Sequence, residues 1–299
     1  MTLQQLKYVV TVAECGNITE AAKQLFVSQP TVTSAIHDLE KEMQIVIFVR
    51  TNKGVILSED GERFLGHARQ VLEQVNLIEG IYKNDAVSKP HFAVSCQHYS
   101  FAVNAFVDVI RRFDAYQYDF TIREEQTHEI IEDVTNLKSE LGIMYLSSKN
   151  TEVLSKMLKR NELEFTELFT ATPHVFICDS HPLAPKKSIT MEDLQDYPYL
   201  TYEQGEYNSQ YFSEEFVSTL DSRKNIRVRD RATLFNLIIG LNGYTVCSGV
   251  ISAELNGRNI ISKQLDVEEY MRIGIITRKG VVLSRYAREY IEALKAHCM

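Results

Sequence analysis

Apolar positions in the first sixty residues recur three and four apart, the spacing of helices with one buried face. Leu3, Leu6, Val9, Val10 and Ala13 predict a first helix ending near Gly16. Asn17, with Glu20 three residues on, is a capping-box pattern that opens a short second helix with Ala21, Ala22 and Leu25 inward. Phe26 and Val27 close it, and Ser28 caps a third helix whose apolar stripe is Val32, Ala35, Ile36, Leu39 and Met43. The small pair Ala21-Ala22 lets two helices cross closely, as in a helix-turn-helix. The period then becomes strand-like. Ile45–Val49 and Val55–Leu57 flank Arg50-Thr51-Asn52-Lys53-Gly54, which reads as a hairpin with a basic tip.

Ser58, followed by Glu59 and Asp60, predicts the start of a long helix with an acidic first turn, which suits its dipole. In it Phe64, Ala68, Val71, Val75, Ile78 and Tyr82 make a narrow seam of the coiled-coil kind, which predicts pairing of two chains. The NDAVSKP stretch over 84–90 marks a break. Beyond it, strand-like and helix-like runs alternate: HFAVSC, a helix over 101–113, DFTIRE, a helix over 128–138 and LGIMYL. Residues 151–163 read as an amphipathic helical insertion. A second lobe then runs from LEFTELF and HVFICD through PYLTYE, a helix over 209–219, NIRVRD, a helix over 232–241 and GYTVCS. The chain returns through MRIGIITRK and a helix over 284–296. Such alternation implies parallel βαβ units.

The third helix carries Gln29, Pro30, Thr31, Thr33, Ser34 and His37 on the face opposite its stripe. Amides and hydroxyls hydrogen-bond base edges or phosphates, and a threonine methyl can meet a thymine methyl. With the Ser28 cap at its start, and Arg50 and Lys53 placed for phosphates or the minor groove, these residues are the predicted DNA-binding set. Here a resemblance becomes plain. The run ITEAAKQLFVSQPTVTSAIHDLEKEM, then IFVR and the LSEDG close, resembles the winged helix-turn-helix of LysR-type transcriptional regulators. Family members often carry arginine where this chain has Ser34, and a glycine where it has Gln44. Residues 1–85 hold eight basic and eleven acidic side chains, a net of −3. So few phosphate contacts per subunit are expected, with affinity resting on oligomeric avidity.

The resemblance continues over most of the chain. It implies a winged helix-turn-helix over 1–58 and a dimerising linker helix over 59–88. A two-lobed α/β periplasmic-binding-protein-like effector domain would follow, with lobe 1 over 89–163 and 266–299 and lobe 2 over 164–265. It also implies double-stranded operator DNA as partner, a small-molecule effector between the lobes, a homodimer or homotetramer, and contact with RNA polymerase. In open sheets ligands bind beyond the carboxyl ends of strands, at helix starts. The turns there supply Gln97, His98, Tyr99 and Ser100, then Thr127, then Tyr202, Gln204 and Asn208, then Ser248 and Gly249. In the family, Ser100 and Thr127 match positions that offer hydroxyls to a ligand carboxylate. Hydroxyls and amides with few free cations suit a small anion or zwitterion: an amino acid, an organic acid or a sulfur metabolite. The turns QHYSF and EQGEYNS resemble a subgroup tied to sulfur or amino-acid metabolism.

Two other functions compete. No GxSxG, P-loop, GxGxxG or HExxH occurs, so the reading is not an enzyme and no catalytic residue or cofactor is assigned. The alternative is a metal or redox sensor using Cys96, His98 and His128, or the lobe-2 cysteines Cys178 and Cys247. Five scattered cysteines without a CxxC exclude a disulfide framework or zinc ribbon. The composition, 44% hydrophobic and 24% charged, is that of a globular protein. No run approaches the roughly 20 apolar residues of a membrane span. With no export signal at the N-terminus, a cytoplasmic protein away from membranes is expected.

Overall fold

The computed structural model describes residues 1–52, 54–83, 90–113, 117–207, 209–215, 223–251 and 257–298. The chain divides into two compact units, Met1–Lys89 and, apart from three residues, Pro90–Met299.

The first unit comprises α1 (Leu3–Cys15), α2 (Ile18–Gln24), α3 (Gln29–Met43), β1 (Phe48–Thr51), β2 (Gly54–Leu57) and α4 (Glu59–Lys83). Its core gathers Val9 and Val12 of α1, Ala21 and Ala22 of α2, Val32, Ile36 and Leu39 of α3, with Ile47 and Leu65. Leu3 and Met43, expected inward, are 43% and 41% exposed because each sits at a helix end beyond the three-helix contact. The capping box falls on α1, where Thr2 and Gln5 bond reciprocally. At α2 only half of it forms: Asn17 accepts from Thr19 and Glu20 amides, while Glu20 pairs with Lys23. The hairpin starts later than its apolar run suggests. The Glu40 carboxylate takes the amides of Ile47 (2.7 Å) and Phe48 (3.1 Å), so Ile45–Ile47 are tied to α3 instead of a ladder. From Phe48 the strands pair antiparallel, ending at Thr51 opposite Gly54.

Ser58 caps α4 through Gly61 N at 2.9 Å, ahead of Glu59, Asp60 and Glu62. Leu65 and Ala68 are buried, whereas Val71 and Ile78 are 40% and 58% exposed. The predicted seam thus splits. Its start docks on the unit's own core, and its later positions face outward. The Tyr82 side chain and residues 84–89 of the predicted break lie outside the described residues.

The second unit has two lobes. Lobe 1 is a five-stranded sheet in the order β4-β3-β5-β13-β6, from β3 (His91–Cys96), β4 (Asp119–Glu124), β5 (Leu141–Leu146), β6 (Leu163–Ala171) and β13 (Met271–Arg278). Strands β3, β4 and β5 are parallel, and β13 runs antiparallel to β5 and β6. The helices are α5 (Ser100–Phe113), α6 (Thr127–Thr135), α7 (Thr151–Arg160) and α9 (Arg285–Cys298). Both faces of β5 are covered: Ile143 and Tyr145 pack with α5 and α9, Met144 and Leu146 with α6 and α7. That explains its unbroken apolar run. The LEFTELF strand, expected in lobe 2, is β6 and belongs to this sheet, because its partner is the returning β13.

Lobe 2 holds β7 (His174–Cys178), β8 (Ser188–Ile189), β9 (Tyr199–Tyr202), β10 (Asn225–Val228), α8 (Arg231–Leu241), β11 (Thr245–Cys247) and β12 (Ile260–Leu265). Here β9 and β10 form a two-stranded parallel sheet, while the four-stranded sheet β11-β7-β12-β8 is mixed, with β7 antiparallel to β11 and β12 and β8 parallel to β12. The helix expected over 209–219 is absent from 209–215, which are turn and bend. Its later part lies outside the described residues.

Among the described glycines spacing is tightest at Gly61, where a Cβ would stand 2.1 Å from the Ile47 carbonyl oxygen. Gly61→Ala should destabilise the chain by about 1–3 kcal/mol through this overlap, read as a lower midpoint in urea unfolding followed by circular dichroism.

Candidate functional site

The face predicted to bind DNA is assembled first by a cap. Ser28 Oγ accepts from Thr31 N at 3.3 Å, fixing the start of α3 with Pro30 in its first turn. Ser28, Gln29, Pro30, Thr31, Ser34 and His37 are exposed, and Thr33 is half-buried. Gln29 Nε2 donates to Thr33 Oγ1 at 2.8 Å, so one amide and one hydroxyl are pre-set on adjacent turns. Arg50 is exposed on β1, and Lys53 lies outside the described residues. Gln44 ends α3 at φ 56°, the left-handed position for which glycine is better suited. Phe26, read from sequence only as closing the second helix, is 95% exposed in the turn between α2 and α3, also at positive φ.

The second site is the cleft between the lobes of the C-terminal unit. One cavity there is lined by His98, Tyr99 and Ser100 from lobe 1 and by Tyr202, Arg231, Thr245 and Ser248 from lobe 2. Five of the expected effector residues therefore meet: His98, Tyr99, Ser100, Tyr202 and Ser248. Gly249 lies beside them at φ 84°. Asn208 lies outside the described residues. Gln97, Thr127 and Gln204 do not line the cavity but are buried behind it. Gln97 donates to Thr127 Oγ1 (2.7 Å) and accepts from Tyr99 OH (2.9 Å) and Tyr145 N (3.0 Å). These are internal bonds, so Gln97 builds the wall.

Two acids that sequence reading passed over dominate the polarity. Glu214 and Glu215 line the cavity and are 7% and 1% exposed. Glu214 faces His98, whose ring stacks on Tyr202 across the cleft at 3.8 Å and 6°. Burial opposes a charge on His98, but the Glu214 carboxylate outweighs it and raises the ring's pKa. Burial, with Glu214 adjacent, pushes the Glu215 carboxyl up to about 8, against the bonds it accepts from Tyr202 N and Ser213. Arg231 pairs with Glu124 at 3.0 Å. Its Nη1 and Thr245 Oγ1 are buried with no hydrogen-bond partner among the described residues.

The residues named for metal or redox sensing are not gathered into one site. Both His98 nitrogens are engaged, Nδ1 by Glu214 and Nε2 by the Arg229 carbonyl. Cys96 is fully buried, and burial, with Glu124 near, pushes its thiol well up. His128 instead packs on Tyr207. Among the described residues no group of three or more His, Cys, Asp or Glu side chains is placed to hold a metal. Cys247 pairs with His174 on β7, and Cys178 lies four residues further along that strand. That is about 13 Å of strand, against the roughly 7 Å limit for a disulfide. Burial also raises the Cys247 thiol, disfavouring the reactive thiolate.

A raised carboxyl has a defined signature. The folded chain keeps a proton on Glu215 that the unfolded chain releases, so stability falls as pH rises from about 4.5 to about 8 and levels off above. Glu125, raised to about 7 by burial and Asp133, slopes the same way. Glu215→Gln should flatten the decline of melting temperature between pH 5 and 8 by about one proton's share, measured by thermal denaturation across pH.

Comparison with known proteins identifies the family. Residues 3–62 match the family described as bacterial regulatory helix-turn-helix protein, lysR family, and residues 94–299 match the LysR substrate binding domain. The uncharacterized HTH-type transcriptional regulator YvbU of Bacillus subtilis is 24% identical, over 99% of this chain and 98% of its own. CysB of Burkholderia cenocepacia is 30% identical over 68% of this chain and 63% of its own. Among solved structures, a full-length OxyR variant from Pseudomonas aeruginosa superposes with a TM-score of 0.66 at 21% identity, covering 99% of this chain and 95% of that one. CbnR, a LysR family regulator, does so at 0.53 and 17% identity, with full coverage of both chains. Among the described residues no helix is long and apolar enough to cross a membrane. The exposed α3 face, the wing and the two-lobed unit are thus those of a DNA-binding transcriptional regulator, and the chain belongs to the LysR family.

Proposed function

We propose that the chain is a cytoplasmic, ligand-responsive regulator whose cleft senses a small anionic or zwitterionic metabolite. The observation that carries this is the cavity where Thr245 Oγ1 and Arg231 Nη1 lie buried without partners among the described residues. Buried polar atoms are normally hydrogen-bonded, so exceptions facing a cavity point to a ligand or to ordered water. A hydroxyl and a guanidinium nitrogen suit an acceptor-bearing ligand such as an amino acid, an organic acid or a sulfur metabolite.

On DNA, α3 enters the major groove with Gln29, Thr31, Thr33, Ser34 and His37, while Arg50 and Lys53 of the wing contact phosphate or the minor groove. Ser28 and Pro30 set the helix start that approaches the backbone. Val71 and Ile78 of α4 supply an outward apolar edge for a second copy, and pairing places two modules on half-sites about one helical turn apart. Tetramers and contact with RNA polymerase complete the proposed output. The effector acts by binding one quaternary state more tightly than another.

A thermal-shift screen of amino acids, organic acids and sulfur metabolites should give a specific rise in melting temperature for at least one compound, which then changes operator affinity. A screen with no such compound overturns the sensing role. Gln29→Ala should weaken operator binding by about 1–3 kcal/mol and relax base preference at one position, read by competition footprinting. Uniform weakening across sequences would reassign Gln29 to the phosphate backbone.

A further inference from the structure

The segment Phe212–Glu215 crosses from lobe 2 to lobe 1 and takes up the groups that a bound ligand would use. Phe212 is buried among Ile130, Ile131, Met144 and Leu154 of lobe 1, and its carbonyl accepts from Thr127 Oγ1 at 2.7 Å. Two residues on, one oxygen of Glu214 lies 3.0 Å from His98 N and 2.7 Å from His98 Nδ1, just ahead of α5. The other accepts from Gln204 Nε2 at 3.0 Å. The Glu215 carbonyl accepts from Tyr145 OH at 3.0 Å, and its carboxyl takes Tyr202 N at 2.6 Å.

A carboxylate at a helix entrance is favoured by the helix dipole, and a buried one is tolerated when its oxygens are hydrogen-bonded. Glu214 meets both conditions, using donors from both lobes. Beside it the cavity keeps only about 40 Å³ of free space, room for a few water-sized groups and too little for a metabolite. Yet the same cavity presents Thr245, 4% exposed, with Oγ1 unpartnered among the described residues. A ligand that reaches this hydroxyl has to move a wall, and Phe212–Glu215 is the wall that carries the Glu214 carboxylate.

We propose that Phe212–Glu215 is a built-in occupant of the effector cleft, in which Glu214 fills a carboxylate site at the α5 entrance and a carboxylate ligand binds by displacing it, with Thr245 as a second contact. The proposal rests on the sensor reading above and adds the competitor that the ligand must beat. It also explains why His98, Thr127, Tyr202 and Gln204 are already hydrogen-bonded when the cleft is closed.

Acetate and formate are the probes, used on the full-length chain with chloride as the ionic-strength control. Glu214→Ala removes the internal carboxylate and leaves His98, Gln204 and Thr245 in place. Acetate should bind this variant at least about tenfold more tightly than it binds the wild type, by isothermal titration calorimetry, and should raise only the variant's melting temperature. Adding Thr245→Val should reverse part of that gain. If Glu214→Ala does not fold, Phe212→Ala, which frees the segment from lobe 1 while keeping Glu214, should show a smaller gain of the same sign. Equal acetate affinity in wild type and variant overturns the proposal. A metabolite that shifts the wild type while acetate binds neither chain leaves the sensor reading standing and removes only the occupant, so the two failures are told apart.

Discussion

A carboxylate withdrawn from water has to be met by donors, and the closed cleft of the C-terminal unit is arranged around that demand. Glu214 receives His98 from one lobe and Gln204 from the other, and His98 in turn stacks on Tyr202. The contacts to His98 join residues about a hundred positions apart in sequence, so the closed state is held in part by interactions that no local segment contains. Removing one donor would leave a buried charge underbonded, which costs more than the bond itself contributes. On the proposal above, another anion offering its oxygens to these donors would relieve the chain's own group.

The lobes that carry this contact are built to be rigid. Lobe 1 is completed by β13, which returns from lobe 2 and inserts between β5 and β6, so chain segments cross the cleft floor more than once. With both faces of β5 covered, the turns at its sheet's carboxyl edge have fixed positions. Differences between states are therefore expected in the angle between lobes and in the Phe212–Glu215 segment rather than within a sheet.

Local chemistry was legible in the sequence wherever periodicity and caps coincide. The Ser28 cap, the Val32-Ile36-Leu39 stripe and the polar face beginning at Gln29 could be read directly, because helix geometry alone decides them. The run LGIMYL announced a strand buried on both sides. What failed was long-range. LEFTELF reads correctly as a strand, but nothing in it says that its partner lies about a hundred residues later in MRIGIITR. The NSQYFSEE stretch has helix-compatible composition, yet its aromatic and acidic residues are drawn into contacts with lobe 1 that override propensity. The turns of the cleft were located from the sheet rule, while the residues that saturate them, Glu214 and Glu215, carry no sequence mark separating them from solvated acids.

The clamp from Glu40 to the amides of Ile47 and Phe48 has a bearing on how this module evolves. It welds the end of α3 to the start of the wing, so neither can be re-aimed without dragging the other. New operator preferences should then arise by exchanging side chains on a fixed frame, and lineages that drift in target sequence would keep the distance between groove and flank contacts constant.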